Sequence, residues 1–231
     1  MAEVTSTDHR FLATDSSGEV SGLLLRPRDA WAIYVFAHGA GADMRHAFMS
    51  AVAERLAGLG IASFRYNFPY MEKGRGGPNP APVLVKTVRS AVSEATRLVP
   101  GIPLLAGGKS MGGRMTSTAA AAQPLAGVLG LAFFGFPLHA PGKASSQRGA
   151  HLTDVSLPML FLQGTRDKLA DLELLRPLVG TVKPTPKLHV VDQADHGFHV
   201  PKRSGRTDEG VLDELCAVFA EWARGVVGRD A

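Results

Sequence analysis

The chain has 231 residues with one cysteine, 45% hydrophobic and 20% charged residues, and a formal net charge of +4. That length suits one domain with a sizeable core, and a lone cysteine excludes an internal disulfide. The 26 glycines and 15 prolines imply many tight turns but stay below low-complexity levels.

The basic residues are scattered. Their densest group, Lys202, Arg203 and Arg206, has no interleaved aromatics, so the charge reads as solvated surface and no nucleic-acid partner is expected. The opening residues include Glu3 and Asp8 and lack the apolar segment of a secretory leader. The longest apolar stretch, Leu125 to Leu138, falls short of the roughly 18 residues that cross a bilayer. A cytoplasmic protein without membrane contact is the expectation.

Taken in order, Arg10–Thr14 and Val20–Arg26 read as a hairpin around Asp15-Ser16-Ser17-Gly18. Trp31–Ala37 is a continuous apolar run, which indicates a strand covered on both faces. His46–Leu59 has helical apolar spacing and stops at Gly60, and Ile61–Tyr66 is a further strand. Asn67–Pro82 reads as a long loop, Val83–Val99 as a helix and Ile102–Ala106 as a strand. Gly112–Ala122 follows as a small-residue helix, then strands at Val128–Phe134 and Met159–Gln163. A helix at Leu169–Val179, a strand at Lys187–Val191 and a helix at Asp208–Val227 complete the chain. Alternation of this kind predicts a mostly parallel twisted sheet of about seven or eight strands with helices on both faces. In such sheets chemistry sits at the carboxyl ends of the strands.

The strand Ile102–Ala106 runs into Gly108-Lys109-Ser110-Met111-Gly112, a G-x-S-x-G pattern placed between a strand and a helix. In that elbow the serine adopts strained backbone geometry, its flanking glycines admit close packing, and the helix N-terminus favours an oxyanion. Gly108-Lys109-Ser110 also matches the tail of a phosphate-binding loop, but Pro103 stands where that loop needs a glycine. A nucleophilic serine needs a base and an orienting acid. Asp167 lies just beyond the strand Met159–Gln163, and His196 just beyond Lys187–Val191. Ser110 is therefore expected to be the nucleophile, His196 the base and Asp167 the orienting acid.

Rival assignments are weaker. His199 sits near the same turn, Asp171 falls inside a predicted helix, and Asp195 suits a local turn hydrogen bond. His196 and His199 lack a third ligand at metal spacing, so neither metal nor cofactor is expected. The backbone N–H groups of Ala40, after the strand Trp31–Ala37, and of Met111 are the expected oxyanion donors. His38 is expected to brace that loop, Arg114 to pair with an acid or carbonyl, and Cys216 to lie in the core.

His38-Gly39-Ala40-Gly41, Gly108–Arg114, Gly164-Thr165-Arg166-Asp167 and Asp195-His196-Gly197-Phe198 together resemble the α/β-hydrolase fold. With Phe64–Tyr70 and Gly135–His139 they are most similar to its dienelactone-hydrolase-like branch. Within it, they resemble predicted hydrolases related to testis-expressed protein 30 and NSL-complex subunit 3. The resemblance spans nearly the whole chain from about Trp31 onward and implies the triad Ser110, Asp167 and His196 but little about substrate; one α/β-hydrolase domain over residues 1–231 acting on a small ester-like substrate is the expectation. Dienelactone hydrolase uses a cysteine nucleophile, so its chemistry does not transfer to Ser110. A non-catalytic interaction module, or acyltransferase, perhydrolase or peptidase activity, are the alternatives the fold allows.

The segment Gly135–Pro158, where such folds insert a lid, has three prolines and no long helical period, so a minimal lid and an open cleft are expected. His139, Lys143 and Arg148 there, with Lys73 and Arg75 in the earlier loop, are candidates for a basic rim, against the alternative of ordinary solvated charges.

Overall fold

The apolar run after Trp31 forms the middle of a sheet whose two faces are both covered. In the computed structural model, which describes residues 3–72, 74 and 77–228, β3 (Ala32–Ala37) is buried at every position. Ile33, Val35 and Ala37 point to one core, and Ala32, Tyr34 and Phe36 to the other. The same alternation recurs in β7 (Met159–Gly164), where Met159 and Phe161 oppose Leu160 and Leu162. A strand buried on both faces has no polar side, hence the unbroken hydrophobic spelling.

Among the described residues the sheet has eight strands in the order β1-β2-β4-β3-β5-β6-β7-β8. β1 (Val4–Thr14) and β2 (Gly18–Pro27) form the expected hairpin, and β2 runs antiparallel to β4 (Ile61–Tyr66). β3 to β8 are parallel through β5 (Leu104–Lys109), β6 (Val128–Phe134), β7 and β8 (Lys187–Val191). β1 begins earlier than the sequence suggests. Its first half is exposed, so alternation with hydrophobic residues carries no signal there.

Helices α3 (Ala81–Leu98), α4 (Met111–Ala122) and α5 (Leu172–Thr181) cover one face. Helices α1 (Ala47–Gly58) and α6 (Asp208–Val227) cover the other. A short α2 (Pro69–Glu72) interrupts what reads as a continuous loop in the sequence. Asp171 lies just ahead of α5 rather than inside it, capping the helix by accepting from the Glu173 N–H at 2.9 Å. Cys216 is buried on α6, with its thiol pushed up to about 12 by burial. Between β6 and β7 the segment holds only a 3-10 turn at Gln147–Asp154, with no cap domain. Among the described residues no helix is long and apolar enough to cross a membrane.

Candidate active site

The turn from β5 into α4 is the tightest point of the sheet. Ser110 takes φ +52° and ψ −121°, a left-handed-side conformation that costs a non-glycine residue about 1–3 kcal/mol. A Cβ at Gly108 would sit 2.5 Å from the Ala37 carbonyl oxygen, and one at Gly112 would sit 2.6 Å from that of His38. Both flanking positions therefore admit only glycine, as the motif requires. The strained turn keeps the Ser110 hydroxyl from capping its own helix. It meets the His196 ring instead.

The loop after β8 brings that ring over the elbow. His196 Nε2 lies 2.8 Å from Ser110 Oγ, and Nδ1 lies 2.7 Å from Asp167 Oδ2. The carboxylate only accepts, so Nδ1 carries the proton and Nε2 presents its lone pair to the hydroxyl. The Asp167 side chain is fully buried and is fixed by two further donors. The Leu169 N–H reaches Oδ1 at 2.7 Å, and Gln163 Nε2 reaches Oδ2 at 2.5 Å. Gln163 is itself held, accepting from the Phe136 N–H at 3.0 Å. The Asp167 and His196 loops touch at Gly164, where a Cβ would lie 2.9 Å from the Asp195 carbonyl oxygen.

Asp195 turns away from the ring. Its Oδ1 accepts from Gly197 and His199 at 2.8 and 3.0 Å, which shapes the turn carrying His196. His199 pairs instead with Asp208 at the start of α6, and among the described residues no three metal-ligating side chains cluster.

Gly39 to Gly41 form the opposite wall. His38 beneath them is fully buried, accepts from the Phe68 N–H at 3.1 Å and donates from Nδ1 to the Gly39 carbonyl at 2.8 Å. Burial lowers its pKa to about 4, so it is a neutral strut. The Tyr70 hydroxyl donates to the Ala40 carbonyl at 2.9 Å, and burial pushes that phenol up to about 12. Among the described residues the backbone N–H groups of Ala40 and Met111 donate to no protein acceptor.

Two cavities meet at Ser110. One, about 720 Å³, is lined by Phe48, Met49, Phe198 and Leu212, with Lys109 and His196 in its wall. The other, about 330 Å³, lies over α4 and is lined by Met111, Met115, Pro137, Arg114 and Arg148. Ala40 borders both.

The structure separates the candidates for a basic rim. His139 is not on a rim: it is buried, donating from Nδ1 to the Ala140 carbonyl and accepting from the Asp171 N–H. Lys143 is exposed and lines neither cavity. Arg148 does line the smaller one, while Lys73 and Arg75 lie outside the described residues. The partner expected for Arg114 is missing, because among the described residues its buried Nε meets no acceptor.

Sequence reading also overlooks Gln163, Tyr70 and Lys109. Gln163 is the one polar side chain in the apolar strand Met159–Gly164, which is the signal that marks it. Lys109 donates from Nζ to the His196 carbonyl and lies 5.4 and 5.1 Å from the Phe48 and Phe198 ring centres. Desolvation draws its pKa down to about 8, against the opposing pull of Asp167 and then Asp195.

Residues 30–224 match a family described as an alpha/beta hydrolase domain. Among solved structures, the chain is similar to a dienelactone hydrolase from Anabaena variabilis, with 20% identity, 94% and 96% of the two chains covered and a TM-score of 0.73. It is also similar to an alpha-beta serine hydrolase homologue from Coxiella burnetii, with 20% identity, 92% and 96% coverage and a TM-score of 0.72. A third, a serine hydrolase without lid from Xanthomonas campestris, gives 20% identity, 93% and 94% coverage and a TM-score of 0.69.

Proposed function

The chain belongs to the alpha/beta hydrolase family, and from that premise we propose that it is a serine hydrolase of carboxylesterase type acting on a small carboxylic ester or thioester. The observation that carries this reading is the continuous hydrogen-bonded series from Ser110 Oγ through His196 to Asp167, at 2.8 and 2.7 Å. His196 Nε2 takes the Ser110 proton as Oγ attacks the carbonyl carbon. The negative oxygen settles between the free N–H groups of Ala40 and Met111, and Asp167 steadies the imidazolium. The imidazolium returns its proton to the leaving group. Water, deprotonated by the same ring, then releases the acid from the acyl-Ser110 ester.

The motif set supports the finer placement among hydrolases related to testis-expressed protein 30 and NSL-complex subunit 3. A lid-poor cleft favours a short or flexible substrate over a long-chain lipid. The test is labelling with a fluorophosphonate probe, followed by turnover of a para-nitrophenyl ester series. Wild type labels and Ser110→Ala does not, with turnover reduced by roughly 10⁴-fold or more. A folded wild type that does not label, or a Ser110→Ala that labels equally, overturns the reading.

A further inference from the structure

The smaller cavity over α4 contains an unbalanced charge. Arg114, in the first turn of α4, and Arg148, in the 3-10 turn before β7, both line it beside Ser110. Among the described residues neither guanidinium pairs with a carboxylate or donates a side-chain hydrogen bond. Arg114 is half-buried and Arg148 exposed, whereas the buried Arg65 and the half-buried Arg89 and Arg206 find acceptors. Arg65 donates to the Met44 carbonyl and Ser50 hydroxyl, Arg89 to carbonyls at the end of α4, and Arg206 to Glu214.

The two arginines also feel each other. Burial, and then the charge of Arg148, hold the Arg114 guanidinium below its ordinary pKa. Among the described residues no acid in the cavity lining offsets them: the remaining side chains are apolar apart from Ser110 and Asn79, and Asn79 accepts from the Tyr70 N–H. His151, behind α4, bonds Ser117, and burial and then the charge of Arg114 push its pKa down, which favours the neutral ring. Two like charges in a partly desolvated hollow are unfavourable until an anion joins them. Planar guanidiniums with free N–H groups are the side chains best matched to carboxylate or phosphate oxygens.

We propose that this cavity is an anion subsite, in which Arg114 and Arg148 hold a carboxylate or phosphate carried on one arm of the substrate whose carbonyl lies at Ser110. The inference rests on the serine hydrolase reading and specifies its substrate class: an ester with an apolar arm and an anionic arm. Arg114 and Arg148 select substrate and take no part in bond making.

The test compares two matched ester pairs. Para-nitrophenyl pentanoate and para-nitrophenyl hemiglutarate differ by a carboxylate on the acyl arm. The butyrates of para-cresol and para-hydroxybenzoate differ by one on the alcohol arm. In one pair kcat/KM favours the anionic member by about tenfold, mostly through KM, and the preference shrinks as salt rises. Arg148→Gln, at an exposed position, reduces that ratio severalfold, Arg148→Glu inverts it, and Arg114→Gln abolishes it. Glutarate and inorganic phosphate, added as competitors, reveal which anion the site prefers. Ser110-dependent labelling with no anionic preference in either pair, or a preference undiminished in Arg148→Glu, overturns this inference alone. Loss of labelling in the folded wild type overturns the hydrolase reading and this one with it.

Discussion

The two cavities that meet at Ser110 are both largely apolar, and they differ in how their charged groups are partnered. The larger is walled by Phe48 and Met49 of α1, Leu212 of α6 and Phe198, and its charged groups are engaged: Lys109 with the His196 carbonyl, Asp208 with His199 and Glu209 with Arg55. The smaller is walled by α4 and the 3-10 turn, and presents two guanidiniums with no protein partner among the described residues. The difference follows from topology. Ser110 stands at the end of a central strand, so each face of the sheet delivers its own helix ends to the same hydroxyl. Of the proposed catalytic groups, Ser110 lines both cavities and His196 only the larger. Selective groups come from the helices, which they do not share.

Asp167→Asn is expected to strike both cavities alike and to have the largest effect. Three N–H donors, from Gln163, Leu169 and His196, converge on the two Asp167 oxygens. An asparagine has one oxygen and an NH₂ that cannot accept, so at least one donor is stranded or His196 changes tautomer. With the NH₂ facing His196, the ring proton moves to Nε2, which denies Ser110 its base, and kcat should fall by about 10⁴-fold for every ester. A loss confined to anionic or to apolar esters would show that Asp167 is not shared.

Leu212→Trp is expected to act on one cavity only. The added bulk fills the apolar side, so the kcat/KM ratio of hexanoyl to acetyl ester should drop by about tenfold. The hemiglutarate-to-pentanoate ratio should not move with it. If Leu212→Trp changes the anion preference and leaves the chain-length ratio alone, the assignment of the two cavities is reversed.

These shared and unshared parts were not equally legible in the sequence. The elbow, the loop positions of Asp167 and His196 and the strut His38 are readable, because each follows a predicted strand and carries a glycine the turn needs. Gln163 and Lys109 are not, since they occupy unspecified positions of a strand and of a motif. The Lys109 contact, moreover, is with a carbonyl 87 residues away. Arg114 misled for a related reason. A charged residue on a helix beside a core normally finds an acceptor, but the Thr116, Ser117 and Thr118 hydroxyls of α4 turn to carbonyls of their own helix, and among the described residues none meets Arg114 Nε. His139 misled in the opposite direction: a histidine among loop residues reads as exposed until the Asp171 N–H and the Ala140 carbonyl are seen on its two nitrogens.

The smallest expected effect separates the engaged cation of the larger cavity from the two unpaired ones of the smaller. Lys109 titrates near 8 in the folded protein against 10.5 ordinarily. Between those values the unfolded chain binds a proton that the folded chain has released, so stability rises with pH across that window. Below about 8 both states hold the proton, and the desolvation of the ammonium counts in full against the fold. Lys109→Met removes this dependence. Wild type should therefore gain on Lys109→Met by several degrees in melting midpoint as pH rises from 8 to 10.5. Differential scanning calorimetry of the two proteins across that range measures it. Arg114→Gln and Arg148→Gln should show no such slope, because a guanidinium stays charged throughout. A pH-independent gap between wild type and Lys109→Met would mean that the ammonium is solvated, and the larger cavity would then carry a free cation like the smaller.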